Sequence, residues 1–195
     1  MKLAGCYSHE EGETVVYGRG LGDAYAEARD VILATRFCIL PTGSGNRLRM
    51  TRGYILSELG IRGWELLTRV TPPPGCEAFG RGKYHLDAIK RGKSRNTIGL
   101  ICHFGSSEFG LRQLMLNSGA VRRGVVDCGV IAVMAREATP YLTGRPSSYE
   151  QLRALLHAFG NSEFHGVPIV LWGLTPDPTF TGQVGRSVRV RAKDA

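Results

Sequence analysis

The sequence predicts an α/β fold, a central mixed β-sheet flanked by helices. Two near-continuous apolar runs of strand length, Val125–Met134 (VVDCGVIAVM) and Val167–Leu174 (VPIVLWGL), carry that prediction. Strands buried on both faces read this way. The segments before and between them place apolar residues at helical spacing. The resulting order is helix, helix, strand, strand, helix, strand, helix, strand, which fits layers packed on one sheet. At 195 residues the chain makes one well-buried domain spanning 1–195, with a basic C-terminal arm from about Pro176.

Taken in order, Gly5–Val16 (GCYSHEEGETVV) is short and polar and reads as a first strand and its turn. Asp23–Thr35 is predicted as a helix with Asp23 at its N-cap. The following PTGSGNRLRMTRG is glycine-rich but lacks the Gly-Lys-Ser/Thr of a phosphate loop, so it is expected to be a mobile basic loop. Tyr54–Leu67 (YILSELGIRGWELL) has apolar residues three and four apart and is helical at least to Gly60. The TPPPG run then breaks the chain, because proline cannot continue a helix. Ser106–Asn117 is predicted as a helix capped by Ser106 or Ser107, with Glu108 in its first turn serving the cap. Ser147–Phe159 (SSYEQLRALLHAF) is an amphipathic helix with a serine cap. The tail ends in SVRVRAK, an alternating basic strand or arm.

Charge and cysteines narrow the function classes. The formal net charge is +8, so polyanions are plausible partners. Basic residues gather at Arg47–Arg52, Arg81–Arg95, Arg122–Arg123 and Arg186–Lys193, which places them at several points along one groove. The five cysteines are odd in number and form no CxxC pair, against a disulfide framework or a zinc ribbon. The start, MKLAGCYSHEEGE, turns acidic before any long apolar run and does not read as a secretory signal. A reduced, cytoplasmic protein is the expectation.

The stretch Tyr84–Gly105 (YHLDAIKRGKSRNTIGLICHFG) reads as a strand ending near Asp87, a basic turn, and a second strand through Ile98–Phe104. That hairpin puts Asp87 beside His103 at a sheet edge or on a groove floor. A carboxylate there can hold a divalent metal, and the surrounding Lys and Arg suit a phosphodiester. A solvated hairpin with one surface Asp is the alternative.

These pieces resemble, in order, the BglII/BstYI family of type II restriction endonucleases, within the PD-(D/E)XK nuclease fold. The matching segments are CYSHEEG, RGWE, HLDAIK, GLICHFGSSEFGLRQL, VVDCGVIAV, SSYEQLRALL and VPIVLWGL, from Gly5 to Leu174. The resemblance implies Mg²⁺-dependent hydrolysis of duplex DNA by a homodimer at a short palindrome, GATC-centred if the family's habit holds. The family's site is an Asp on one strand and Glu-X-Gln on the next, followed by Phe-Gly or Phe-Ser. Asp87 takes the Asp position. Phe104-Gly105 sets the register, and there Ile101 stands for the Glu and His103 for the Gln.

The implied catalytic set is Asp87, His103 and Lys90, with Lys90 near the scissile group or on a phosphate. The implied metal ligands are Asp87, the Cys102 carbonyl and His103. The metal is Mg²⁺, or a softer ion such as Mn²⁺, Co²⁺ or Ni²⁺ on the histidine. Glu58, Glu65, Glu10 and Glu11 are candidates for a migrated second carboxylate, which the family chemistry needs. Arg91, Lys93 and Arg95 are expected on phosphates. Asn46, Arg47 and Arg49, with Arg145, Ser147 and Ser148, are candidates for base readout. Ser106–Asn117 and the helix before Pro72 are candidates for the dimer interface. The leading reading is an active nuclease with a rearranged site; the alternatives are a nuclease fold that binds DNA without cutting and an interaction protein with no nucleic-acid role.

Overall fold

Among the described residues, six strands form a central sheet in the order β1-β6-β5-β4-β3-β2. The computed structural model describes residues 1–35, 47–70, 85–105, 109–141 and 147–176. The elements are β1 (Lys2–His9), α1 (Gly12–Gly18), α2 (Gly22–Ala34), α3 (Arg47–Ile61), β2 (Glu65–Arg69), β3 (His85–Arg91), β4 (Thr97–His103), α4 (Gly110–Arg122), β5 (Cys128–Met134), α5 (Tyr149–Phe159) and β6 (Ile169–Thr175). A short 3-10 turn, Arg136–Tyr141, follows β5.

Strands β4, β5 and β6 are mutually parallel, and the outer pairings are antiparallel. Every residue of β4 and β5 is buried, as expected for parallel strands covered on both faces. One apolar cluster joins Val16, Tyr25, Ile32, Ile55 and Leu59 of α1–α3 to Leu100, Cys102, Val130 and Trp172. A second joins Leu114, Leu116, Leu152 and Leu156 of α4 and α5 to Ile101, Ile131 and Leu171. The sheet is thus the middle of three layers, and the mixed α/β architecture is as the sequence predicts.

Two polar details fix the layers. Trp172 Nε1 donates to Tyr25 Oη at 2.9 Å, and Tyr25 donates to Glu13 at 2.8 Å. On the other face Asn117 lies against Gly129 so closely that a Cβ there would sit 1.8 Å from its Oδ1. Only glycine fits that point of β5.

Several boundaries differ from the sequence expectations. Leu21 precedes α2 as its N-cap, while Asp23 lies in the first turn and pairs with Lys93 at 2.7 Å. The basic stretch from Arg47 is helical and opens α3, so it is not a loop. Helix α3 ends at Ile61; Gly63 turns the chain at φ 79°, and Glu65–Leu67 belong to β2. Strand β3 continues past Asp87 to Arg91. Helix α4 starts at Gly110 after Phe109; Ser106, Ser107 and Glu108 lie outside the described residues. The serine cap expected for α5 is present: Ser148 caps the helix in a capping box with Gln151. The TPPPG run and the basic arm from residue 177 also lie outside the described residues.

Candidate functional site

Asp87 sits where β3 and β4 part. Their ladder runs from Arg91↔Thr97 to Ala88↔Leu100, and beyond it the Asp87 carboxylate replaces a backbone partner. Cys102 N–H donates to its Oδ2 at 2.8 Å. Arg52, reaching in from α3, donates from Nε to Oδ2 at 3.0 Å and from Nη2 to Oδ1 at 2.5 Å. Such a fork is the strongest pairing a carboxylate makes with a side chain. Asp87 is only 4% exposed, and its hydrogen bonds raise the Arg52 guanidinium further above its ordinary range. Burial, and then the nearby Asp87, push the Cys102 thiol well up. Across the sheet, the β2 ladder pairs Leu66↔Ala88 and Thr68↔Leu86. Leu67, between them and opposite Asp87, has φ 55°, a strained conformation for a leucine.

His103 ends β4 beside Val133 of β5. Its Nε2 lies 3.0 Å from Ser147 Oγ, and both residues are buried. Ser147 N–H donates to Gly105 O at 3.1 Å, tying the start of α5 to the end of β4. Ile101 packs with Leu114 and Tyr149 in the second apolar cluster, and strand alternation puts His103 on that same face. Arg52 comes instead from the layer on the opposite face. Asp87 and His103 therefore share one end of the sheet but bond to different partners.

The remaining sequence candidates spread out. Lys90 donates to Glu27 at 2.6 Å and to Arg62 O at 2.9 Å, with its ammonium over the Trp64 ring. Arg91, Lys93 and Arg95 occupy the β3–β4 end next to Thr97, the opposite end of the sheet from His103. There Lys93 is paired with Asp23, and Arg95 is exposed at φ 66°. Glu10 and Glu11 follow His9, which pairs with Ile169 at the start of the parallel strands, so they too stand at the far end. Glu65 pairs across to Ile89 and accepts from Thr68 at 3.2 Å. Glu58 lies beyond Arg52 along α3, toward Arg62.

None of these carboxylates is bonded into the Asp87 cluster. Among the described residues no group of three His, Cys, Asp or Glu side chains is arranged to hold a metal ion. One carboxylate engaged by a guanidinium and an amide, beside an isoleucine, does not fit the donor set that Mg²⁺ requires. Ser148 Oγ accepts from Gln151 N–H at 3.3 Å and so is committed to the cap. Arg47 opens α3 and Arg49 is exposed in its first turn, whereas Asn46 and Arg145 lie outside the described residues. Arg52 is the functional candidate that sequence reasoning missed. Its signal was a basic residue falling on the apolar stripe of α3, three, four and seven residues before Ile55, Leu56 and Leu59.

No protein-family model matches the chain, and no curated protein matches it. Solved structures do. The chain aligns with the crystal structure of restriction endonuclease BglII complexed with a DNA 16-mer at TM-score 0.67 and 17% identity, covering 91% of this chain and 78% of that one. Free BglII aligns at TM-score 0.59 and 16% identity, covering 91% and 81%. The fold is that of a restriction endonuclease, as the order of sequence segments implied. No described helix is long and apolar enough to cross a membrane.

Proposed function

We propose that this chain binds duplex DNA on a restriction-endonuclease scaffold whose hydrolytic centre has been replaced by the Asp87–Arg52 ion pair. The observation that carries the reading is the occupancy of Asp87. Both of its oxygens are bonded, to Arg52 and to the Cys102 amide, while Ile101 is packed in the core. Support for a DNA partner comes from the shared fold with a DNA-complexed endonuclease and from the net charge of +8. The test is a gel-shift titration of mixed-sequence duplex DNA in EDTA at increasing salt. Binding that persists without divalent metal and weakens steeply with salt is expected; no binding at about 0.1 M salt would overturn the proposal.

A second reading keeps the chemistry: a divalent-metal endonuclease, with Mg²⁺ or Mn²⁺, cutting a GATC-centred palindrome as a homodimer. The position of Asp87 at the parting of β3 and β4, with His103–Ser147 at the same end, favours it. On either reading a second copy fits the flank formed by α4 and α5. Phe109, Leu111 and Phe159 are exposed there, beside a shallow groove lined by Leu152, Ala154, Leu155 and Ala158.

A further inference from the structure

The Asp87–Arg52 pair masks a carboxylate, and it also fixes a cation in place. Asp87 is the inner partner, with 6% of its side chain exposed, and Arg52 the outer one, with 34% exposed. Arg52 spends Nε and Nη2 on Asp87; no described residue accepts from its Nη1. A pinned guanidinium loses little freedom when a further oxygen ligand arrives.

The surrounding backbone points the same way. Helix α3 runs alongside β3, with Arg52 at Asp87 and the Arg62 carbonyl at Lys90. Its first turns therefore continue about 7 Å past Arg52, beyond the Asp87 end. That helix start carries Arg47, Arg49 and Arg52 with no acidic residue in its first turn. Arginines at a helix N-terminus oppose the helix dipole, and an anion there offsets the cost.

We propose that Arg52, held by Asp87, is a phosphate-contact residue for the DNA backbone. Its guanidinium supplies, at this end of the sheet, the charge neutralisation that the donor set can no longer obtain from a divalent metal. The inference rests on the DNA-binding reading and deepens it. The ligand chemistry is a phosphodiester oxygen, and Arg52 reads no base.

The experiment measures Kd against salt for a mixed-sequence duplex in EDTA, using the wild type, Arg52→Gln, Arg52→Lys and Asp87→Asn. Folding of each is checked by circular dichroism and thermal melting. Loss of one phosphate contact lowers the slope of log K against log salt by about one, and weakens binding about eightfold at 0.1 M salt. Arg52→Gln is expected to show both changes. Arg52→Lys keeps the charge, so its slope stays at the wild-type value while its affinity falls, because an ammonium cannot bridge Asp87 and a phosphate as a fork does. Asp87→Asn keeps the slope and weakens binding by loosening the guanidinium. A merely structural role would lower melting temperatures and leave the slope of Arg52→Gln unchanged.

A wild type that binds DNA with an Arg52→Gln variant of equal slope and affinity would overturn this inference alone. A wild type that binds no duplex would overturn both the inference and the DNA-binding reading. Binding tightened by Mn²⁺ in the wild type but not in Asp87→Asn would restore Asp87 as a metal ligand, and would equally overturn it. If Arg52→Gln does not fold, a wild-type-like affinity in Arg52→Lys is the contrary result.

Discussion

Removing Arg52 tests how firmly the Asp87 carboxylate depends on it. In Arg52→Ala the carboxylate keeps the Cys102 amide at 2.8 Å and loses two bonds to the guanidinium. Breaking a buried ion pair from one side costs about 3–5 kcal/mol. Arg52 is a third exposed, so water entering its vacated space reduces the cost to about 2–3 kcal/mol. Asp87→Asn strands the more exposed partner, which rehydrates, and should cost roughly 1–2 kcal/mol. Replacing both with apolar residues of similar shape, Asp87→Leu with Arg52→Met, should recover much of the loss. Chemical denaturation gives the energies directly. For a chain of this size each kcal/mol moves Tm by about 2–4 °C, so Arg52→Ala should melt roughly 4–12 °C lower. An Arg52→Ala protein within about 0.5 kcal/mol of wild type, with unchanged circular dichroism, would refute the account of Asp87 as a carboxylate locked by Arg52.

Other parts of the molecule make independent predictions. Gly129→Ala places a methyl 1.8 Å from Asn117 Oδ1 and should cost about 1–3 kcal/mol. Adding Asn117→Ala should restore part of it, because the two sites are in contact; strict additivity in denaturant melts would exclude that clash as the cause. Ser148→Ala removes the capping box of α5 and should lower stability by about 1 kcal/mol, a shift readable in the urea midpoint. The Cys6 thiol is pushed up to about 11, first by burial and then by Glu13. Because the thiolate is the nucleophile, alkylation of Cys6 at pH 8 should be slower than for an ordinary cysteine thiol, by up to about a hundredfold. Its rate should keep climbing above pH 10, and Glu13→Gln should speed it. Ordinary thiol kinetics would show that the Glu13–Tyr25 contact is not kept in solution.

The central strands and α5 were legible because burial leaves a mark on composition. Strands β5 and β6 are apolar on both faces, and SSYEQL carries both halves of a capping box. The edge strands left no such mark. Strand β1 is half exposed and β2 mostly so, and neither alternates clearly enough to stand out from a turn or a helix end. The start of α3 reads as loop because its arginines resemble a solvated basic run; its helicity is supported by Ile55, Leu56 and Leu59 packing below. Asp87 was singled out as a candidate through its motif. Its partner was not, since Arg52 lies 35 residues earlier and the pairing exists only once α3 crosses β3. The same holds for His103 and Ser147, which lie 44 residues apart. Local spacing finds residues on one element, whereas this cluster is assembled from three.

Incubation of unmethylated plasmid DNA with the protein in Mg²⁺, and separately in Mn²⁺, beside a gel shift in EDTA, decides whether the Asp87–Arg52 pair leaves a DNA-binding fold without hydrolysis. Wild type and Asp87→Ala should be run together. DNA shifted in EDTA by the wild type and left uncut in both metals is the predicted result. Discrete fragments that vanish in Asp87→Ala would contradict it, and would show that Arg52 releases Asp87 to a metal during turnover.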